Sequence, residues 1–278
     1  MTIDEIIVAA LKEDIGDGDH TSLSTIPATA KGKARLLIKE AGIICGIDIA
    51  FKVLNKVDPS LIIHRILSDG NLVKPGDVAF TVEGSSISIL TAERLLLNFM
   101  QRMSGIATTT NRYVQQLSGT KARLLDTRKT TPLLREIEKY AVKTGGGDNH
   151  RFGLFDMILI KDNHIDFAGG IANAVTAVDA YLRSKDLNLQ IEVEARTIDD
   201  VSEILRFKHV QRILLDNFTP EKMKEAVALI NGRVETEASG GITLDNLREY
   251  AETGVDYISV GALTHHIKSL DMSLKAFN

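Results

Sequence analysis

Two short stretches of the sequence combine cationic side chains with features of an open binding loop. They are DTRKTTP at residues 126–132 and GGGDNHR at residues 145–151, and a further lysine follows in LIKDNH. Arginine forks bind carboxylates and phosphates through paired hydrogen bonds, and glycines let a ligand approach the backbone closely. The pattern therefore predicts a site for small anions. Its candidate cations are Arg128, Lys129, His150, Arg151 and Lys161.

Acidic and small residues recur at the ends of later predicted strands. The strands LQIEVEA, RILLDN, RVETEASGG and DYISVGAL end near Glu194, Asp216, Ser239 and Gly261, which lie 22, 23 and 22 residues apart. A repeat of strand, loop and helix with this period is typical of a β/α barrel, whose strands all end at one shared mouth. The cations follow two further predicted strands, so we expect acids and cations to line the same mouth.

These residues suggest a phosphate site and an acidic site. Ser239, Gly240 and Gly241 follow a strand and precede a helix, where barrels often bind phosphate, although the motif also fits a simple turn. Glu194 and Asp216 are candidates for holding Mg²⁺ or for stabilising a developing positive charge. Zinc is not expected, and the sequence contains neither a Walker motif nor a Rossmann GxGxxG.

The strands also carry paired acids. Glu192 with Glu194, and Glu235 with Glu237, share a strand face because side chains alternate along a strand. One member of each pair is predicted to neutralise a buried lysine.

The first part of the chain shows a different pattern of predicted secondary structure. Short strands alternate with turns at Asp69-Gly70 and Pro75-Gly76, which is typical of an α+β region. A long helical pattern begins at Ser88, with a predicted break near Ser104-Gly105. A second helix is predicted from Pro132 over PLLREIEKYAVKT.

Composition limits the possible functions. The 278 residues carry a formal net charge of −4 and only 5% aromatic side chains, which argues against a general nucleic-acid binder. No uncharged apolar run reaches the ~20 residues of a membrane span. The N-terminus predicts an amphipathic helix rather than a signal peptide. A single cysteine, Cys45, excludes an internal disulfide, so we expect a cytoplasmic protein.

Taken together, these motifs resemble the quinolinate phosphoribosyltransferase family, the decarboxylating nicotinate-nucleotide pyrophosphorylases of NAD synthesis. The resemblance extends over nearly the whole chain. It includes LKEDIGDGDHTS, AERLLLNFMQRMSGIAT, DTRKTTP, KYAVKTGGGDNHR, LIKDNHI, EVEA, LLDN, EASGGI and DYISVGALTH.

The resemblance implies an N-terminal α/β sandwich followed by an open α/β barrel, as in type II phosphoribosyltransferases. The implied domains are residues 1–104, residues 105–264, and a tail at 265–278 that packs on the first domain. It also implies a homodimer, or a higher oligomer, in which Arg94 reaches the partner's active site.

The resemblance further implies roles for individual residues. Quinolinate would be bound by Arg94, Arg128, Lys129, His150, Arg151 and Lys161. Phosphoribosyl pyrophosphate would be bound by Lys129, Lys161, Asn163, Glu194, Asp216, Ser239, Gly240, Gly241 and Gly261. The catalytic set would be Lys129, Lys161, Glu194 and Asp216, with Mg²⁺ beside the last two. Leu133 and His266 depart from the family, which usually has Gly and Ser at these positions.

Three alternatives remain open from the sequence. One is a related phosphoribosyltransferase with another acceptor, such as nicotinate or the substrate of the molybdenum-transport-associated homologues. Another is a Schiff-base lyase that uses Lys129 or Lys161. The last is a sensor that binds phosphorylated metabolites without catalysis.

Overall fold

The computed structural model describes residues 1–277. Its helices are α1 (Ile3–Ile15), α2 (His20–Thr25), α3 (Ile47–Val57), α4 (Ser86–Gln116), α5 (Arg135–Thr144), α6 (Asp162–Ala168), α7 (Ile171–Lys185), α8 (Ile198–Ile204), α9 (Pro220–Ile230), α10 (Leu247–Ala251) and α11 (Ala262–His265). Its strands are β1 (Lys31–Ile38), β2 (Gly42–Ile43), β3 (Ile62–Arg65), β4 (Leu72–Val73), β5 (Val78–Ser85), β6 (Arg123–Leu125), β7 (Ile158–Ile160), β8 (Ile191–Ala195), β9 (Arg212–Asp216), β10 (Glu235–Ser239), β11 (Tyr257–Ser259) and β12 (Met272–Phe277).

The described chain forms two compact units. Unit 1 comprises Met1–Asn111, Thr130–Gly146 and the described residues from Leu263 onward. Unit 2 comprises Arg112–Lys129 and Gly147–Ala262. The domain limits implied by the family resemblance stay a prediction.

Unit 1 is built on an antiparallel sheet with the strand order β12-β1-β5-β3. β12 pairs with β1 so that Leu274 lies opposite Leu36, and both side chains are buried. Phe80 of β5 packs edge-on against Phe51 of α3, with the ring centroids 5.3 Å apart. An apolar sheet face covered by helices is the layered α/β arrangement predicted for the N-terminal part.

The helix α4 is continuous, so the predicted break near Ser104-Gly105 is wrong. The Ser104 hydroxyl accepts the N–H of Cys45 at 2.9 Å and donates to its carbonyl at 3.1 Å. Gly105 allows close packing, because a Cβ there would lie 2.3 Å from the carbonyl oxygen of Lys268. Both residues therefore serve contacts with other segments rather than a helix end.

The helix α5 begins at Arg135, three residues later than predicted. Leu133, just before it, has φ 68°, which is the left-handed region that non-glycine residues rarely adopt. Right-handed helical geometry therefore cannot extend back to Pro132. Leu134 N–H closes a turn on the carbonyl of Thr131 at 3.1 Å.

Unit 2 contains a parallel sheet with the order β6-β11-β10-β9-β8-β7. The helices between its strands confirm the predicted repeat and the open α/β barrel. Local signals begin two of these helices: Thr197 caps α8, while Thr219 caps α9 with Pro220 as its first residue. Every residue of β8 is buried, which is usual for a strand covered on both sides.

No helix within residues 1–277 combines the length and the apolar character that a membrane crossing requires.

Candidate functional site

The C-terminal ends of the unit 2 strands form the mouth of the barrel. Most of the predicted site residues of unit 2 lie at or just after these ends, and the exceptions are His150 and Arg151. Asp148, shortly before those two residues, forms a parallel bridge with Leu125 of β6, which brings them beside the end of that strand. The mouth residues in chain order are Arg128, Lys129, His150, Arg151, Lys161, Asn163, Glu194, Asp216, Ser239, Gly240, Gly241 and Gly261. Arg94 belongs to unit 1, where it is exposed on α4.

Arg128 and Arg151 form a cationic part of the mouth. Burial lowers the pKa of Arg151, and the nearby charge of Arg128 lowers it further. Arg151 donates one guanidinium hydrogen bond to the carbonyl of Met157 at 3.0 Å. The buried Nε of Arg128 has no hydrogen-bond partner within the described chain. Two like charges and an unsatisfied donor are features of an anion receptor.

Glu194 and Asp216 form an acidic part of the same mouth. Burial raises the pKa of Glu194, and repulsion from Asp216 and Asp162 adds to this effect. Burial also raises the pKa of Asp216, with a further contribution from Asp162. The backbone N–H of Asp162 donates to Glu194 at 3.3 Å. These carboxylates repel one another, and a bound cation would relieve that repulsion.

Lys129 and Lys161 lie within electrostatic range of these acids. Lys161 opposes the rise in the pKa of both Glu194 and Asp216, and Lys129 opposes that of Asp216. The structure thus brings together the four residues predicted to be catalytic. The mouth carries both signs of charge, as the strand-end pattern predicted.

The loop after β10 has a backbone that requires glycine. Gly240 has φ 91°, and a Cβ there would lie 2.3 Å from the side-chain oxygen of Asn217. Asn217 is itself fixed, because its N–H donates to the carbonyl of Ser239 at 2.9 Å. A Cβ at Gly241 would meet no heavy atom within 4 Å. One side of this loop therefore stays accessible to a ligand.

His150 lies deeper than the other predicted cations, with only 7% of its side chain exposed. Its Nε2 is 3.0 Å from Glu192 and 3.3 Å from Glu237, and both carboxylates are fully buried. Arg212 reaches Glu237 from the other side at 3.2 Å. We call these four residues the buried layer. The prediction that His150 binds quinolinate directly stays a prediction.

The buried layer corrects the interpretation of the paired acids. Glu192 and Glu237 face His150 and Arg212, not the lysine that was predicted. Glu235 is exposed and also pairs with Arg212, at 2.9 Å. Burial and the charge of Glu237 raise the pKa of Glu192 to about 7. For Glu237 burial acts in the same direction, but hydrogen bonds and charge from His150, with Ser259 and Arg212, hold its pKa below the usual range.

Two observations on the charge of His150 point in opposite directions. Burial lowers its pKa, but its hydrogen bonds to the two glutamates outweigh burial and raise the pKa to about 9, which favours a doubly protonated ring. The backbone N–H of Arg151, however, donates to Nδ1 at 2.7 Å. We favour the singly protonated ring with its hydrogen on Nε2, because a hydrogen on Nδ1 would point at that N–H.

Sequence reasoning missed Arg212 and Asp126. Arg212 opens β9, opposite Glu192 on one neighbouring strand and Glu235 on the other, so register rather than a motif reveals its role. Asp126 is fully buried and accepts the backbone N–H of His150 at 2.8 Å. Its position in DTRKTTP was the available signal.

A cavity of about 700 Å³ opens at the opposite, N-terminal ends of these strands. Two of its cations have partners: Lys121 binds Asp256 at 2.8 Å, and Arg233 donates to the carbonyl of Leu229 at 2.8 Å. In barrels of this type the chemistry lies at the C-terminal ends of the strands. We therefore assign the functional site to the mouth rather than to this cavity.

The fold and the site define an open α/β-barrel protein with a mouth suited to small anionic ligands. The family model for the quinolinate phosphoribosyl transferase C-terminal domain matches residues 106–275, and that for the N-terminal domain matches residues 19–104. The chain belongs to the quinolinate phosphoribosyl transferase family.

Individual relatives agree with this assignment. The chain is 48% identical to a chloroplastic nicotinate-nucleotide pyrophosphorylase [carboxylating] of Oryza sativa subsp. japonica, over 97% of this chain and 76% of the relative. It is 42% identical to the enzyme of that name from Mycobacterium leprae, over 97% and 95%. The crystal structure of NadC from Streptococcus pyogenes superposes with a TM-score of 0.94 at 37% identity, covering 99% of this chain and 97% of that one.

Proposed function

We propose that this protein transfers the phosphoribosyl group of phosphoribosyl pyrophosphate to quinolinate, giving nicotinate mononucleotide, pyrophosphate and CO₂. The observation that carries the proposal is the proximity of Arg128 and Arg151, whose positive charges oppose each other at the mouth. A pyridine dicarboxylate supplies two anionic groups that relieve this repulsion. The names of the curated relatives support the same reaction.

On the acceptor side, we propose that quinolinate is bound by Arg94, Arg128, Lys129, His150, Arg151 and Lys161. The two arginines of unit 2 would hold its carboxylates, since guanidinium groups bind carboxylates through two parallel hydrogen bonds. Arg94 is exposed on α4. This exposure supports a homodimer, or a higher oligomer built from it, in which each Arg94 completes the partner's site.

On the donor side, the glycine loop and the mixed charges of the mouth support binding of phosphoribosyl pyrophosphate. The accessible backbone at Gly241 suits a phosphate. Lys129 and Lys161, near Asp216, would compensate the charge of the leaving pyrophosphate. The full proposed set is Lys129, Lys161, Asn163, Glu194, Asp216, Ser239, Gly240, Gly241 and Gly261.

The acidic part of the mouth fits Mg²⁺. Glu194 and Asp216 supply carboxylate oxygens, which this ion prefers, and burial together with neighbouring acids raises the pKa of each, an environment that a bound cation would favour. Mg²⁺ commonly binds one or two carboxylates together with substrate phosphates and water. When bound, it would neutralise charge on the pyrophosphate.

The chain's own residues then account for the chemistry. As the bond from ribose C1 to pyrophosphate breaks, positive charge develops on the sugar, and Glu194 and Asp216 stabilise it. The pyridine nitrogen forms the new bond to C1 and becomes cationic. The adjacent carboxylate leaves as CO₂, its bonding electron pair passes to the ring, and the ring carbon takes up a proton. The arginines hold the acceptor in place for the attack.

One assay tests the reaction directly. The protein is incubated with quinolinate, phosphoribosyl pyrophosphate and Mg²⁺, and CO₂ and nicotinate mononucleotide are quantified together. We expect equal amounts of both products, and nicotinate in place of quinolinate should give no nucleotide. Product from nicotinate, or pyrophosphate release without nucleotide, would reject the proposed acceptor.

A mixing experiment tests the shared site. Arg94→Ala chains and Lys161→Ala chains, each inactive alone, should regain part of the activity after verified subunit exchange, because hybrid dimers contain one intact site. Subunit exchange without any recovery would argue against a contribution from the partner's Arg94.

We also propose a cytoplasmic location, supported by the single, buried Cys45. Fractionation of the native cells tests it directly.

A further inference from the structure

The loop that carries Arg151 is held by side chains at four consecutive backbone N–H groups. His150 N–H donates to Asp126 at 2.8 Å, and Arg151 N–H donates to Nδ1 of His150 at 2.7 Å. The next two N–H groups, of Phe152 and Gly153, donate to the carboxylate of Asp156 at 2.6 and 2.8 Å. Loop backbone is usually among the more mobile parts of a protein. Here its position is fixed at every residue around Arg151.

The imidazole of His150 joins this loop to the barrel interior. One ring nitrogen accepts the N–H of Arg151, while the other faces Glu192 at 3.0 Å and Glu237 at 3.3 Å. The ring therefore lies between two buried carboxylates and the backbone of the residue that follows it. A ring with contacts on both nitrogens is well placed to set the position of its neighbour, Arg151.

The buried carboxylates are themselves fixed. Glu192 and Glu237 are on strands in the centre of the unit 2 sheet, and neither exposes any of its side chain. Arg212 binds Glu237 at 3.2 Å and stacks on the ring of Tyr257, 4.1 Å from its centroid. His150, Glu192 and Glu237 present ligand atoms within 4.8 Å of one another, a spacing that also suits a metal. Arg212 and the imidazole face these carboxylates, while both oxygens of Glu192 and Oε1 of Glu237 are buried without a hydrogen bond of good geometry within the described chain.

The geometry points to His150 as a positioning residue: Glu192 and Glu237 flank its Nε2 at 3.0 and 3.3 Å, and its Nδ1 accepts the backbone N–H of Arg151, which sets where that guanidinium meets an acceptor carboxylate. This inference rests on the proposed function, because it assigns Arg151 to the acceptor. Along β8, Glu194 lies two residues, or about 6.6 Å, beyond Glu192 toward the mouth. Glu194, on the side proposed for phosphoribosyl pyrophosphate, therefore lies at the mouth, whereas His150 lies in the buried layer.

The test separates the acceptor from the donor by steady-state kinetics. Glu192→Leu removes one acceptor of the Nε2–H bond, and we expect the KM for quinolinate to rise about tenfold while the KM for phosphoribosyl pyrophosphate stays within about twofold. Glu192→Gln keeps an oxygen acceptor, so it should restore most of the affinity. Glu235→Gln is the matched control, because Glu235 pairs with the same Arg212 but is exposed and lies away from His150.

A double variant tests whether the effect passes through His150. In a His150→Ala background, adding Glu192→Leu should change the KM for quinolinate by less than about twofold, because the ring that transmits the effect is gone. Three results would overturn the proposal. Glu192→Leu could raise both KM values equally, Glu192→Gln could fail to restore the affinity for quinolinate, or the effects of His150→Ala and Glu192→Leu on the KM for quinolinate could multiply independently.

Folding is checked for every variant by its thermal transition. If Glu192→Leu does not fold, the double variant Glu237→Leu with Arg212→Leu replaces it. This variant removes one carboxylate together with its cation, and it is judged by the same changes in the two KM values. An inactive wild-type enzyme would reject the proposed function. An active wild type whose Glu192 variants leave the KM for quinolinate unchanged would reject only the positioning role.

Discussion

At the mouth of unit 2, Arg128 and Arg151 lie near each other, and Glu194 lies near Asp216, so like charges are grouped. In the buried layer, deeper in the barrel, acidic groups instead face cationic or hydrogen-donating partners. Arg212 pairs with the buried carboxylate of Glu237, and Nε2 of His150 faces the carboxylates of Glu192 and Glu237. The two regions are adjacent along the same strands, since Glu194 follows Glu192 by two residues.

The difference follows from solvent and ligand access. A charge in the interior must be compensated by the protein itself, because an isolated buried charge is very unfavourable. A charge at the mouth can be compensated by substrate, and leaving it uncompensated in the free protein makes binding favourable. Four predictions test this comparison.

The largest effect is expected on stability in the buried layer. Glu237→Ala leaves Arg212 and His150 without a carboxylate they share, and should lower the free energy of unfolding by about 3–5 kcal/mol. Glu235→Ala removes the exposed partner of the same arginine and should cost less than about 1 kcal/mol. Urea unfolding of both variants gives the two values. Equal losses would show that burial does not distinguish the two glutamates.

The next largest effect is on binding at the mouth. Arg128→Ala should weaken quinolinate about 100-fold, because charge-assisted hydrogen bonds to a carboxylate are lost. Affinity for phosphoribosyl pyrophosphate should change by less than about threefold. Calorimetric titration measures both, with Arg233→Ala at the opposite end of the barrel as the control. Stability should be largely unaffected, in contrast to Glu237→Ala.

A smaller effect links catalysis to pH. Glu194→Gln should lower kcat about tenfold, since one stabilising carboxylate is lost. It should also raise stability at neutral pH, because the pKa of Glu194 in the folded protein is above its usual value of 4.5 and the ionised form is therefore unfavourable. The gain should shrink as the pH falls through the folded pKa and disappear below the usual pKa of 4.5, where the residue becomes protonated in both folded and unfolded chains. A gain that persisted unchanged at pH 4.5 would contradict this cause.

The smallest effect concerns Leu133, in the loop between β6 and α5. Its φ of 68° is unfavourable for leucine and its side chain is 67% exposed, so little packing opposes replacement. Leu133→Gly should raise the free energy of unfolding by roughly 0.5–1 kcal/mol. Leu133→Ala, which keeps a Cβ, should give no such gain. Thermal unfolding of the two variants separates backbone strain from the loss of the side chain.

Local sequence determined much of the fold. The caps at Thr197 and Thr219 depend on residues a few positions apart, and so do the predicted turns at Gly70 and Gly76, where both glycines have positive φ. The 22-residue to 23-residue spacing of strand ends likewise indicated a barrel, because each parallel strand needs a helical crossover. The same spacing placed Glu194 and Asp216 at one mouth, and the ends of two earlier strands place Lys129 and Lys161 beside them.

Only the tertiary structure decided which charges lie at the mouth and which lie in the interior. His150 and Arg151 are neighbours in the sequence, yet one points into the barrel toward Glu192 and the other remains near Arg128. Arg212 carries no motif, and its partner Glu237 lies 25 residues away on the next strand. The helix α4 passes through Ser104-Gly105 because distant segments pack against those residues. Strand register and long-range packing set these contacts, and neither is encoded by a short stretch of sequence.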